Sequence, residues 1–204
     1  MFSYRVTGDL RFISHHDTLR LFRRALARAD IPVRFSEGFN PHPRMTIPLP
    51  RPVGVSSEAE AIVIETDKAI DPADALQRLQ AQMPEGIGLQ GVRALAAGER
   101  PQPDEARYRL LLESAAPPEW SARVDELMAS ETVVVARTDP KSKKSRSVNI
   151  KPYIVGIELA GDAVEFTLRV TGEGSARPAE IAGLLGFDPT SINHRIHRQE
   201  VRWR

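Results

Sequence analysis

The chain has no cysteine among its 204 residues, and that absence removes several chemistries at once. Disulfides, thiolate zinc sites, a thiol nucleophile and a cysteine-held iron–sulfur cluster are all excluded. Any redox chemistry must come from a partner. Long apolar runs are missing as well. With 41% hydrophobic and 27% charged residues, the composition fits a soluble globular protein of one or two domains, and no membrane partner is expected. The opening M-F-S-Y-R-V-T-G-D-L lacks the basic start, apolar centre and small-residue cleavage site of a secretion signal. A cytoplasmic location is therefore the expectation.

Net charge is nearly absent, at +1, but its distribution is uneven. Residues 1–51 hold nine arginines against four acids, residues 52–136 seven bases against fifteen acids, and residues 137–204 twelve bases against eight acids. If the two basic ends meet in the fold, they form a face that attracts phosphate-rich ligands.

The densest concentration of backbone control is S-E-G-F-N-P-H-P-R, from Ser36 to Arg44. Gly38 permits conformations other residues resist, while Pro41 and Pro43 fix their own φ and push Asn40 and His42 towards extended geometry. Between them Asn40, His42 and Arg44 offer hydrogen bonds or hold an anion, and Phe39 can anchor the loop or stack on a flat ligand. The alternative is a plain connection between strands, although such connections usually take only about 4–6 residues.

Periodicity predicts the elements. Phe2 to Val6 alternates as a strand. Ser14, with Asp17 three residues later, caps a helix whose Leu19, Phe22, Leu26 and Ala29 share one face. Pro32 to Phe35, Ala61 to Thr66 and Gly86 to Leu95 read as strands and Pro72 to Met83 as a helix, giving β-α-β-β-α-β. The order repeats after the linker, with strands over Tyr108 to Glu113, Thr132 to Arg137, Val164 to Val170 and Ile192 to Trp203. Helices are expected over Pro117 to Ser130, capped near Ser114, and over Pro178 to Leu185. The predicted fold is α+β: two tandem ferredoxin-like (βαββαβ) halves, residues 1–97 and 107–204, joined by a linker over 98–106. A basic arm, 138–152, is inserted in the second half.

Several segments then carry a specific resemblance: G-D-L-R-F-I-S-H-H-D, F-S-E-G-F-N-P-H-P-R, L-P-R-P-V-G-V, N-I-K-P-Y-I and G-S-A-R-P-A-E-I. In this order, along nearly the whole chain, they resemble the radical SAM-associated family, known as a domain of unknown function. Its members occur as separate chains encoded beside radical S-adenosylmethionine proteins, or as extensions of them, often near ribosomal-protein and ribonuclease genes. The resemblance implies a radical SAM partner carrying a 4Fe-4S cluster and S-adenosylmethionine, with no cofactor on this chain. It also implies translation or RNA metabolism, and it supplies no catalytic residue. Members more often resemble S-H-L-D where this chain has Ser14-His15-His16-Asp17, so His15 rather than His16 carries the likeness.

The candidate substrate-binding set is His15, Asp17, Phe39, Asn40, His42 and Arg44, expected to line one mixed polar pocket. Ser14 and Asp17 have a simpler role open to them, as helix caps. Arg20, Arg24 and Arg28 are spaced four apart along one side of the first helix. With Lys141, Lys143, Lys144 and Arg146 on the arm they form the candidate nucleic-acid-binding set, joined by Arg195, Arg198, Arg202 and Arg204 near the C-terminus. A solvated charged face explains an arginine stripe equally well. The aromatic-rich strand pattern of an RNA-recognition motif is absent, so any RNA contact must use another mode.

His15, His42, His194 and His197 raise a zinc alternative, but no H-x-x-x-H spacing supports it and no metal site is expected. The expected function is a non-catalytic accessory protein that binds RNA (tRNA or rRNA) or another polyanion. The alternatives are a metal-independent RNA-processing or RNA-modifying enzyme, with His15 or His42 in acid–base roles beside Arg44, and a pure docking module for the radical SAM protein.

Overall fold

Phe2, Tyr4 and Val6 alternate with Ser3 and Arg5, and this period of two sends the three apolar side chains into the interior. They form β1 (Phe2–Val6), the central strand of the first of two units. The computed structural model describes residues 1–139 and 142–204; Lys141 of the candidate set lies outside them. The chain is a mixed α+β protein with a core built mostly on sheet and four α-helices among the described residues. It divides into Met1–Gln102, with Arg204, and Pro103–Trp203.

The first unit continues through α1 (His15–Arg28), β2 (Met45–Thr46), β3 (Ser56–Ile64), α2 (Pro72–Gln80) and β4 (Ile87–Val92). β1 pairs antiparallel with both β3 and β4, and β2 adds to the other edge of β3, so the order is β4-β1-β3-β2. Phe22, Ala25 and Leu26 recur at helical spacing and bury one face of α1. Phe22 meets Tyr4 edge to face, with ring centroids 4.9 Å apart. Burying such a side chain contributes roughly 1.5–3 kcal/mol. The opposite face carries Arg20, Arg23, Arg24 and Arg28 into solvent.

Both ends of α1 are closed. The Ser14 hydroxyl accepts from the Asp17 backbone N–H (3.1 Å), as predicted, and at the far end Arg78 of α2 donates to the Ala29 carbonyl at 2.5 and 2.9 Å. The expected strand over Pro32 to Phe35 is reduced to isolated bridges, Val33 with Thr66 and Phe35 with Pro43. Proline donates no backbone hydrogen bond, so a segment beginning at Pro32 and facing Pro43 cannot build a ladder. The short β2 takes the place beside β3.

The second unit runs β5 (Pro103–Leu111), α3 (Glu119–Ala129), β6 (Val134–Thr138), β7 (Ser145–Asn149), β8 (Ile154–Ala160), β9 (Ala163–Thr171), β10 (Gly174–Ser175), α4 (Pro178–Leu184) and β11 (Ile196–Trp203). Its sheet has the order β11-β5-β9-β8, all antiparallel, with β10 also on β9. Tyr108 and Phe166 stack at 5.5 Å on neighbouring strands within its core.

Four expectations need correction here. Residues 103–106, expected in the linker, already belong to β5. The segment near Thr132 to Arg137 supplies β6, which pairs only with β7 as a separate ribbon; the sheet strand before β9 is β8 instead. Burial explains the choice. β6 and β7 carry no fully buried residue, whereas β8 buries Ile154 and Ile157. Finally, α3 begins after Pro118 with no side-chain cap from Ser114, and residues 192–195 form a 3₁₀ turn before the last strand.

Candidate anion-binding groove and the motif loops

The arginine face of α1 forms one wall of a groove of about 510 Å³. Arg20, Arg24 and Arg28 line it with Asp17, and the turn after α2, including Gln82 and Pro84, forms the other wall. Arg28 ties the walls together, its Nε donating to Gln82 Oε1 (3.1 Å) and a terminal nitrogen to the Gln82 carbonyl (2.8 Å). Arg20 pairs with Asp17 at 3.1 Å. Arg24 is exposed and makes no hydrogen bond or ion pair among the described residues. Four residues of helix rise about 6 Å. The three arginines are thus rooted about 6 Å apart along the groove wall.

Asp17 is the negative counterweight. The Ser14 hydroxyl donates to it at 2.6 Å, and with Arg20 beside it this holds the carboxyl below the usual aspartate range. It remains ionised near neutrality. The caps and the groove therefore share one residue.

His15 points elsewhere. It lines a separate small cavity with Tyr4, Thr18, Arg51 and Glu60, and its Nδ1 is buried with no hydrogen-bond partner. Burial, and then the charge of His16, pull its imidazole below the ordinary value of 6.5. A depressed folded-state value leaves stability intact above about 6.5 and removes it as pH falls, because the unfolded chain takes up the proton first. Denaturant midpoints are expected to drop between about pH 7 and about pH 5, and His15→Gln to flatten that drop. An unchanged slope in the variant would assign the dependence to other groups.

Arg51, from the L-P-R-P-V-G-V motif, is a clamp. It donates to the carbonyls of Arg11 (2.5 Å), Val55 (2.6 Å), Pro52 (3.2 Å) and Leu10 (3.3 Å), while Gly54 N–H also donates to the Arg11 carbonyl at 2.7 Å. One guanidinium thus fastens the G-D-L-R-F turn to the loop before β3. Sequence reading left Arg51 and Gln82 without a role, since their partners are backbone atoms or distant residues.

The Ser36–Arg44 loop is closed at its neck. Ser36 N–H donates to the His42 carbonyl (2.8 Å) and His42 N–H to the Ser36 hydroxyl (3.0 Å). Gly38, at φ +117°, lets the tip turn, and Phe39 projects fully exposed. Arg44 pairs with Glu65 at 3.4 Å, so its charge is already partly answered. Asp17 and His15 line different depressions, and neither includes a residue of 36–44. The six candidate substrate residues are thus distributed over three places.

On the β6–β7 ribbon, Lys143, Lys144 and Arg146 are exposed. Three of the four C-terminal arginines serve the second unit itself, and Arg204 pairs through its backbone with Gln102. Arg198 is buried, with its Nε 3.2 Å from the Tyr108 hydroxyl; Arg195 donates to the Leu111 carbonyl and pairs with Glu113; Arg202 pairs with Asp104. The late motifs fasten the ribbon. Lys151 donates from Nζ to the Leu127 and Met128 carbonyls at the end of α3, Asn149 Oδ1 accepts from Val133 N–H, and Arg137 is held by Glu180 of α4 at 2.7 Å. No group of three or more His, Asp or Glu suited to a metal occurs among the described residues. No described helix is long and apolar enough to cross a membrane.

These features describe an α+β protein with two antiparallel-sheet units and an arginine-lined groove on the first. The chain belongs to the family described as "Uncharacterized protein conserved in bacteria (DUF2344)", whose model matches residues 1–178. No curated protein matches it. Among solved structures it is similar to a chain of the "Crystal Structure of a Cbf5-Nop10-Gar1 Complex", at 11% identity and a TM-score of 0.39 over 99% of its own length. It spans 48% of that chain, and a likeness at this level carries no argument.

Proposed function

We propose that this chain is a non-catalytic accessory protein that binds RNA (tRNA or rRNA) or another polyanion and works with a radical SAM enzyme in the cytoplasm. The observation behind the binding half is the groove, where Arg20, Arg24 and Arg28 are presented in a row and Arg24 has no partner among the described residues. Guanidinium groups so arranged suit sequence-independent phosphate contacts. The exposed Lys143, Lys144 and Arg146 add a second basic surface. The same proposal includes tandem ferredoxin-like halves, supported by the strand orders β4-β1-β3-β2 and β11-β5-β9-β8 within βαββαβ progressions.

The partner's share follows from donor chemistry. A 4Fe-4S cluster takes thiolate ligands, which a chain without cysteine does not have, so the partner holds the cluster and S-adenosylmethionine. Co-purification from native cells is expected to recover a radical SAM protein together with RNA. The protein without RNA, combined with no RNA affinity of the isolated chain, would reduce this chain to a docking module. After iron–sulfur reconstitution the isolated chain should stay colourless and leave S-adenosylmethionine uncleaved. Stoichiometric iron and sulfide on it would overturn the division of labour.

A further inference from the structure

A phenylalanine held fully in water on a stiff support is a costly use of an aromatic side chain, and the tip of the Ser36–Arg44 loop has one. Phe39 is completely exposed and touches no other ring, and the side chains of Asn40 and His42 make no hydrogen bond among the described residues. The support is preorganised. Two hydrogen bonds between Ser36 and His42 close the neck, Phe35 bridges Pro43 below them, and Arg44 N–H donates to the Arg34 carbonyl at 2.7 Å. Pro41 and Pro43 remove further backbone freedom, so little ordering remains to be done when a ligand arrives.

We infer that Phe39 is a stacking platform for one unpaired nucleobase, with Asn40 beside it to hydrogen-bond the base edge. This rests on the RNA reading above and gives it a second, uncharged contact. Polarity favours a base over a protein partner. A stable protein interface buries at least about 1,000 Å² and centres on clustered anchors. Here the rest of the tip is Glu37, Gly38, Asn40 and Pro41, so Phe39 is flanked by a carboxylate and an amide, and the half-exposed Phe35 sits at the loop's base without ring contact to it. One flat ring with an adjacent amide is what single-stranded nucleic-acid readers use, because every base offers a π-face and an edge. The arginines of α1 supply charge without sequence information. Phe39 would add preference for strands whose bases are unstacked.

The test compares three labelled RNAs with the same number of nucleotides, and so the same charge, by fluorescence anisotropy: an unstructured single strand, a self-complementary hairpin, and an abasic single strand. The wild-type chain is expected to prefer the single strand, and Phe39→Ala to lose at least about 10-fold in affinity for it while binding the abasic strand unchanged. Phe39→Trp should retain the preference. A 2-aminopurine base in the single strand should be quenched by the wild type and by Phe39→Trp, but not by Phe39→Ala. If the wild type binds none of the three, the RNA reading itself fails. If it binds all of them equally and Phe39→Ala matches it, the groove stands and the stacking platform falls. Loss of the radical SAM protein from Phe39→Ala pull-downs, with RNA affinity unchanged, would instead make the tip a protein anchor.

Discussion

Replacing Arg20 and Arg24 together with Gln is expected to weaken single-stranded RNA binding roughly 30-fold near 0.1 M salt, because each lost phosphate contact also forfeits counterion release. The salt slope should fall by about 1.4, at about 0.7 per contact on a single strand. The fold should survive. Both side chains are exposed and the Arg20–Asp17 pair is a surface contact, so stability should change by less than about 0.5 kcal/mol. Arg28→Gln is a poorer probe, since Arg28 also joins the groove walls through Gln82. Unchanged affinity and slope in the double variant would mean that the stripe is only a solvated face.

Arg51→Ala should have the opposite profile, with a large loss of stability and no direct effect on anion binding. Its part-buried guanidinium serves the carbonyls of Leu10, Arg11, Pro52 and Val55. Removing it leaves carbonyls poorly satisfied, at a cost of about 3 kcal/mol. For a chain of this size that lowers the melting temperature by about 6–12 °C. Arg51→Lys should recover little, because a compact ammonium cannot span a planar fork's partners. Thermal melts decide the matter. A loss below about 1 kcal/mol would show that the loop holds itself without the clamp.

Where a single segment carried its own signal, the sequence was readable. The Ser14–Asp17 spacing located the start of α1, the apolar spacing through Phe22 and Leu26 located its buried face, and the arginine row on the other face marked the groove wall. Relations between distant segments were not readable. Nothing in L-P-R-P-V-G-V says that Arg51 will reach four carbonyls, and nothing near Gln82 says that it will face Arg28. The motif residues His15 and Arg44 looked like ligand groups because their chemistry permits it. In the fold, His15 lines a small cavity with Glu60, and Arg44 pairs with Glu65.

The misplaced strand of the second unit had a legible cue. Ala160 pairs with Ala163, so Gly161 and Asp162 form a two-residue hairpin loop, with Gly161 at φ +60°. A Gly-Asp pair between two β-rich runs signals such a hairpin. Charge marks a surface, whereas pairing is set by turns and by alternating burial.

The ribbon those residues build has a different consequence. Val134 and Asn149 face each other across β6 and β7, so the ribbon leaves the unit and returns to it at nearly the same point. Its base is fixed by Lys151 on the end of α3 and Asn149 on Val133, and a further tie, Arg137 on Glu180, holds it one pair short of its turn. Past that tie, the extension can lengthen, shorten or change its charge without disturbing the strand order beneath it. Reach and charge become tunable quantities, set by a stretch of sequence on which the fold that carries it makes few demands.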